Sequence, residues 1–197
     1  MKKTISFVRT FIPADLFKKE YALGGLTIYH LDEQLNFELS AYECWECSVR
    51  SGEYTQDEVM AAFEEFKAKL AASELATTKA QKIAEIEAYD TSPAVNGFIL
   101  NGERVWLDFE LRDRVYQGNE RLQRIGRTDT TLWLGKQCYN LSIEQAQNII
   151  SHIEAYAKDC YNVTAAHKKA VSELTTIEEV EKYDITAGYP AQLKMEV

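Results

Sequence analysis

Residues 83–108 read "IAEIEAYDTSPAVNGFILNGERVWLD", and two signals inside this stretch decide the fold class. The first half has helix composition and ends at Tyr89-Asp90-Thr91-Ser92. The second half is an apolar run, Asn101-Gly102, and another apolar run. Asn-Gly tolerates positive φ at both central positions, which a type I′ hairpin requires. A helix running directly into a tight hairpin predicts an α+β domain. The front end of the stretch also returns near the C-terminus as "IEEVEKYDIT", 94 residues later. In each copy an Ile/Val pair (Ile83 and Ile86; Ile177 and Val180) is expected to anchor a helix, with Tyr89 and Tyr183 at the helix ends. Asp90 and Asp184 are expected to accept from backbone N–H groups in the turns that follow. The two copies then bracket one domain, although about ten residues are too few to prove a duplication.

Working downstream, Asp108 is placed to cap a helix over 109–125, with Leu111, Val115, Gly118, Leu122 and Ile125 on one stripe and Gly126 at its end. "TTLWL", Gly135-Lys136 and "QCYNL" make a second hairpin. Ser142 with Gln145 forms a capping box for a helix from about 143 to 174. Its buried face is read as Ala146, Ile149, Ile150, Ile153, Ala157, Cys160 and Val171. Thr176 with Glu179 opens a last short helix, which "GYP" is expected to stop. The two hairpins are expected to pair into a four-stranded antiparallel sheet with helices on one face.

Upstream, residues 54–89 lack Gly and Pro and are dense in Ala, Glu and Lys, all good helix formers. Thr55 with Glu58 is a capping box, and Val59, Phe63, Phe66 and Leu70 form a helical stripe. The pattern fades at "ASELATTKAQ", which predicts a joint near Thr77-Thr78 between two helices. Over 53–90 there are nine acids and four lysines, a net of 4 − 9 = −5, ordinarily a solvated face. Residues 4–51 read as strands. "GLTIYHL" and "QLNFELSAYECWECSVRS" are joined by "DEQ", Gly24-Gly25 turns before the first, and Ser51-Gly52 closes the second. Leu35, Phe37 and Leu39 alternate onto one face. The parts are thus a β-rich region 1–53 for attachment or oligomerisation, a helical connector 54–82, and an α+β domain 83–197.

Composition narrows the function. The chain has 197 residues, 46% hydrophobic and 27% charged, with a net charge of −9. That balance gives enough apolar side chains for a core and an overall field that repels nucleic acid and anionic membrane. No run of 18 apolar residues occurs, so no spanning helix is expected. The N-terminal "MKKTISFVRTFIPADLFKK" lacks an unbroken apolar segment and reads as mature sequence of a cytosolically made protein. Four cysteines are too few for a disulfide scaffold, so reduced thiols are expected.

Several constellations could carry chemistry, each with a plainer reading beside it. Cys44 and Cys47 have the C-x-x-C spacing. In a strand, however, they lack the helix N-terminus that activates redox thiols, and a zinc site would need two more ligands. Cys138, Cys160 and His167 could be drawn as a Cys/His nucleophile, against the commoner buried thiol. Arg112, Arg114, Arg121, Arg124 and Arg127 are five of eight arginines, gathered in sixteen residues. They could face an acidic partner or simply pair with Glu110, Asp113 and Glu120. Trp106 and Trp133 could be partner anchors or sheet core. No phosphate loop, nucleophile elbow or H-E-x-x-H occurs. Neither a cofactor nor a metal is expected.

The pieces "IEAYDTSPAVNGFILNG", "VWLD", "TDTTLWLG", "AHKKAVSELTTIEEVEKYD" and "TAGYP" make residues 81–193 resemble a domain-of-unknown-function family of tailed bacteriophages and prophages. Such domains sit at the C-terminal end of tail-associated and tail-fibre-assembly proteins. One departure is "DFELRDR", where the family pattern after Trp-Leu-Asp is D-x-x-T/S-R. The resemblance implies no activity, cofactor or catalytic residue, and it does not cover residues 1–53. It implies a non-enzymatic structural or accessory protein, made in the host bacterial cytoplasm and placed in the virion. Other phage structural proteins would be its partners, with homo-oligomerisation expected. The rivals are a transient tail-fibre assembly chaperone and a small Cys-dependent enzyme.

Overall fold

A computed structural model describes residues 5–13, 22–23, 26–27, 34–36, 41–47, 49–50, 54–134 and 136–196, with side chains for 5–8, 54–55, 57–134 and 136–196. The chain forms two compact units, Met1–Glu74 and Leu75–Val197. The class is α+β: small antiparallel sheets, a long helix, and a C-terminal unit of two hairpins packed against helices.

In the first unit, β1 (Phe7–Pro13) pairs with β5 (Ala41–Cys47), which pairs with β4 (Gln34–Asn36), all antiparallel. A second sheet joins β2 (Ala22–Leu23), β3 (Leu26–Thr27) and β6 (Val49–Arg50). Leu23 opposes Leu26 across Gly24-Gly25, the position of the expected turn. The run 34–51, expected as one strand, is instead three. β4 lies antiparallel on β5, with Leu35 opposite Tyr42. β-branched and aromatic composition marks strands, but no Gly, Pro or Asn-Gly marks this reversal. The "DEQ" connection does not close a hairpin either, because β3 and β4 belong to different sheets. Phe37 and Leu39 of the proposed face, and Ser51-Gly52, lie outside the described residues.

α1 (Gln56–Asp90, 35 residues) begins at the expected capping box. Glu58 N–H donates to Thr55 Oγ1 (3.3 Å), and Thr55 N–H donates to Glu58 Oε2 (2.8 Å). Val59 and Phe63 are fully buried, with Phe66 and Leu70 partly so. The Phe7 ring packs at a tilt against Phe63 and Phe66, with centroids 5.1 Å and 5.2 Å away. The joint expected at Thr77-Thr78 does not exist; the helix is unbroken. A fading apolar stripe changes what a helix packs against, not whether it is helical. Two threonines cost roughly 0.5 kcal/mol each, against alanines and glutamates on either side.

The second unit builds outward from the hairpin. β7 (Phe98–Leu100) and β8 (Glu103–Val105) flank Asn101 (φ 48) and Gly102 (φ 83), the positive pair that the turn demands. α2 (Phe109–Arg124) follows, then β9 (Asp129–Leu134), β10 (Gln137–Ser142), α3 (Ile143–Glu173), α4 (Ile177–Glu181) and β11 (Lys194–Met195). The Ser142 and Thr176 capping boxes are both formed. The two hairpins do not pair into one sheet. β11, which the sequence reading missed, adds to β7 in parallel and gives the order β11-β7-β8, while β9 and β10 stay two-stranded. The hairpins share a core without sharing strand hydrogen bonds. Phe98, Leu100, Leu132 and Leu134 pack with Ile149, Ile150 and Ile153 of α3. Burying each such side chain contributes about 1.5–3 kcal/mol.

The repeated segment now has a structural account. Ile86 and Val180 are both fully buried against Val171, with Ile83 and Leu75 alongside. The two copies therefore pack on the same part of α3. Their aspartates differ. Asp184 does serve its own turn, accepting from Thr186 N–H (2.9 Å) and Oγ1 (2.7 Å). Asp90 instead accepts from the Thr164 hydroxyl of α3 (2.7 Å). α4 ends at Glu181, before "GYP", so the turn at Asp184 comes first.

Candidate functional site

Asp108 starts α2 by accepting from Leu111 N–H at 2.8 Å, and Gly126 (φ 84) follows its end. The helix keeps only part of the expected stripe. Its buried positions are Arg112 and Asn119, while Leu111 and Ile125 are exposed. Val115 packs on the core and Leu122 is half-buried, as expected, but the fully buried positions are polar, which hydrophobicity does not signal. Arg112 is 6% exposed. Its Nε donates to Glu154 Oε2 of α3 (2.6 Å), and a terminal nitrogen donates to the Leu107 carbonyl (2.6 Å). Its guanidinium also lies 5.5 Å from the Trp106 ring and 5.9 Å from Phe109. Arg112 thus ties α2 to α3 and is withdrawn from any surface patch.

The other four arginines are exposed. Arg124 reaches Glu120 at 3.7 Å and Arg127 reaches Asp129 at 3.1 Å. Arg114 and Arg121 make no ion pair or hydrogen bond among the described residues. The tryptophans divide. Trp106 is half-buried against the core, whereas Trp133 is 65% exposed on β9, opposite exposed Cys138 on β10. Between α2 and α3 runs a groove of about 450 Å³ lined by Phe109, Arg112, Asp113, Tyr116, Ile150 and Glu154.

A buried polar network crosses the middle of α3. Tyr189 O–H donates to Thr164 Oγ1 (2.8 Å), and Thr164 donates to Asp90. Burial raises the Tyr189 hydroxyl pKa. His167 is engaged at both nitrogens, 2.8 Å from Tyr183 Oη and 2.8 Å from the Ala187 carbonyl. A carbonyl only accepts, so Nε2 carries a proton. Tyr156 donates to the Val95 carbonyl (3.1 Å), and its own ionisation is pushed up to about 12, chiefly by burial. Burial also raises the pKa of the Cys160 thiol.

No known protein family, curated protein or solved structure matches this chain.

What the geometry permits therefore follows from the side chains themselves. A Cys/His nucleophile needs a thiol against a free imidazole nitrogen. Here Cys160 is held as the buried thiol, Cys138 sits exposed on a hairpin, and His167 has no nitrogen to spare. Cys44 and Cys47 lie in β5 as expected, but their side chains are outside the described residues. Among the described residues no three His, Cys, Asp or Glu side chains are grouped to hold a metal, and no helix is long and apolar enough to cross a membrane. The sequence reading missed Tyr156 and Thr164 as buried members of α3, whereas His167, drawn with Cys160, is buried beside it on that helix. They were legible, because 156, 160, 164, 167 and 171 continue the 3.6-residue period. Polar identity hid them.

Proposed function

We propose that the chain is a non-enzymatic structural or accessory protein of a tailed phage or prophage, tail- or fibre-associated and acting through protein contacts. The observation that supports contact over chemistry is Trp133, 65% exposed on the outer face of β9. A large aromatic costs free energy in water and anchors interfaces when covered. The polar groups around His167 and Thr164, by contrast, are spent on one another. The phage setting rests on the resemblance of residues 81–193 alone. Residues 1–75 are assigned the attachment or self-association role, which leaves residues 83–197 outward.

Mass spectrometry of purified particles from the producing strain tests the setting. Stoichiometric presence supports a virion component. Presence on assembly intermediates but not on finished particles supports the chaperone alternative, and absence from both overturns the phage reading. Trp133→Ala should lower incorporation without lowering the thermal midpoint.

A further inference from the structure

We infer that the outward face of α2 is a docking seam for an acidic helical segment of a partner protein. The inference rests on the contact reading above and names the partner's chemistry. Leu111, Arg114, Gly118, Arg121 and Ile125 recur at alternating spacings of three and four, the period of a helix–helix seam. They lie away from Arg112 and Asn119, which face the core. Ile125 is 76% exposed and Leu111 is exposed. At Gly118 nothing lies within 4 Å of where a β-carbon would stand, so a neighbouring backbone can approach closely at the centre of the seam.

Charge selects the occupant. Every other arginine from 112 to 127 has a carboxylate partner, whereas Arg114 and Arg121 make no ion pair or hydrogen bond among the described residues. Two unpaired guanidiniums, about two turns apart, flank the glycine on a chain whose net charge is −9. A partner helix with carboxylates flanking an apolar stripe would meet both arginines and cover Leu111 and Ile125 together. A second α2 would not fit. In an antiparallel pair centred on Gly118, Arg114 would face Arg121 of the other copy, and like charges repel.

The test uses the full-length protein and two labelled amphipathic helical peptides with the same leucine stripe, one flanked by glutamates and one by lysines. Fluorescence anisotropy should show binding of the acidic peptide and none of the basic one. Arg114→Glu with Arg121→Glu should weaken the acidic peptide roughly tenfold and admit the basic one. Ile125→Asp should weaken it as well. The altered side chains are exposed, so each variant should keep the native thermal midpoint. Equal binding of both peptides, no binding of the acidic peptide, or undiminished binding in the double variant overturns the proposal. A concentration-dependent dimer that Ile125→Asp dissolves also overturns it, giving the face to a second copy. The assay involves no particle, so its failure leaves the virion reading untouched, and the reverse holds.

Discussion

One hydroxyl, Thr164 Oγ1, joins the end of α1 to the segment after α4 by accepting from Tyr189 and donating to Asp90. Thr164→Val keeps the shape and leaves both partners without a mate, each orphan costing about 1–3 kcal/mol. With two orphans, urea denaturation should show a loss of about 2–6 kcal/mol, larger than for Thr186→Val on the exposed turn. Tyr156 gives a pH signature. Its folded ionisation is pushed from 10.0 to about 12, so above the lower value the unfolded chain loses its proton first. The stability that Tyr156 contributes is full below pH 10.0 and drains away as pH rises toward about 12. Denaturation midpoints should fall across that window, and Tyr156→Phe should flatten the fall. At this scale the sequence was misleading where polarity and burial part company. Arg112 reads as surface by type, yet Glu154 and the Leu107 carbonyl satisfy it inside. No single-sequence signal announces a partner 42 residues away.

Elements were legible where their signals are local. The capping boxes at Thr55, Ser142 and Thr176, and the Asn101-Gly102 turn, each lie within a four-residue window and all formed. Pairing between elements was not legible. β11 meets β7 from the far end of the chain, and α2 buries Arg112 and Asn119 where Leu111 and Ile125 were expected to face inward. Two glycines separate these cases by experiment. Gly118 is mid-helix with open space around it, so Gly118→Ala should raise stability by about 0.5–1 kcal/mol through helix propensity. Gly102 sits at φ 83, so Gly102→Ala should lower stability by about 1–2 kcal/mol. Opposite shifts in the thermal midpoint are the expected outcome, and shifts of the same sign would refute the argument.

For the molecule as a whole, composition and the helix-to-hairpin order were enough for the α+β class. They placed the domain start at residue 83, whereas the compact unit begins at Leu75. The reason is that Leu75 packs with Ile83 on the Ile86, Val171 and Val180 cluster, a contact no local pattern encodes. A fragment of residues 75–197 should unfold cooperatively. A fragment of 78–197 should also fold, but with a lower midpoint, having lost Leu75. Equal midpoints would move the boundary back toward the sequence reading. Light scattering should find the full-length chain oligomeric and the 75–197 fragment monomeric if self-association belongs to residues 1–75.

The parallel pairing of Lys194–Met195 with Ile99–Leu100 also sets a clock. A ribosome adds roughly 5–20 residues per second, so synthesis from residue 100 to 195 takes about 5–19 s. For that interval β7 has its hairpin partner but one bare edge, with the Ile99 and Asn101 amides waiting for the carbonyls of Leu193 and Met195. The C-terminal unit therefore cannot close its sheet during translation of its own helices. A nascent β7 edge is open to pairing with the same strand on a neighbouring polysome chain.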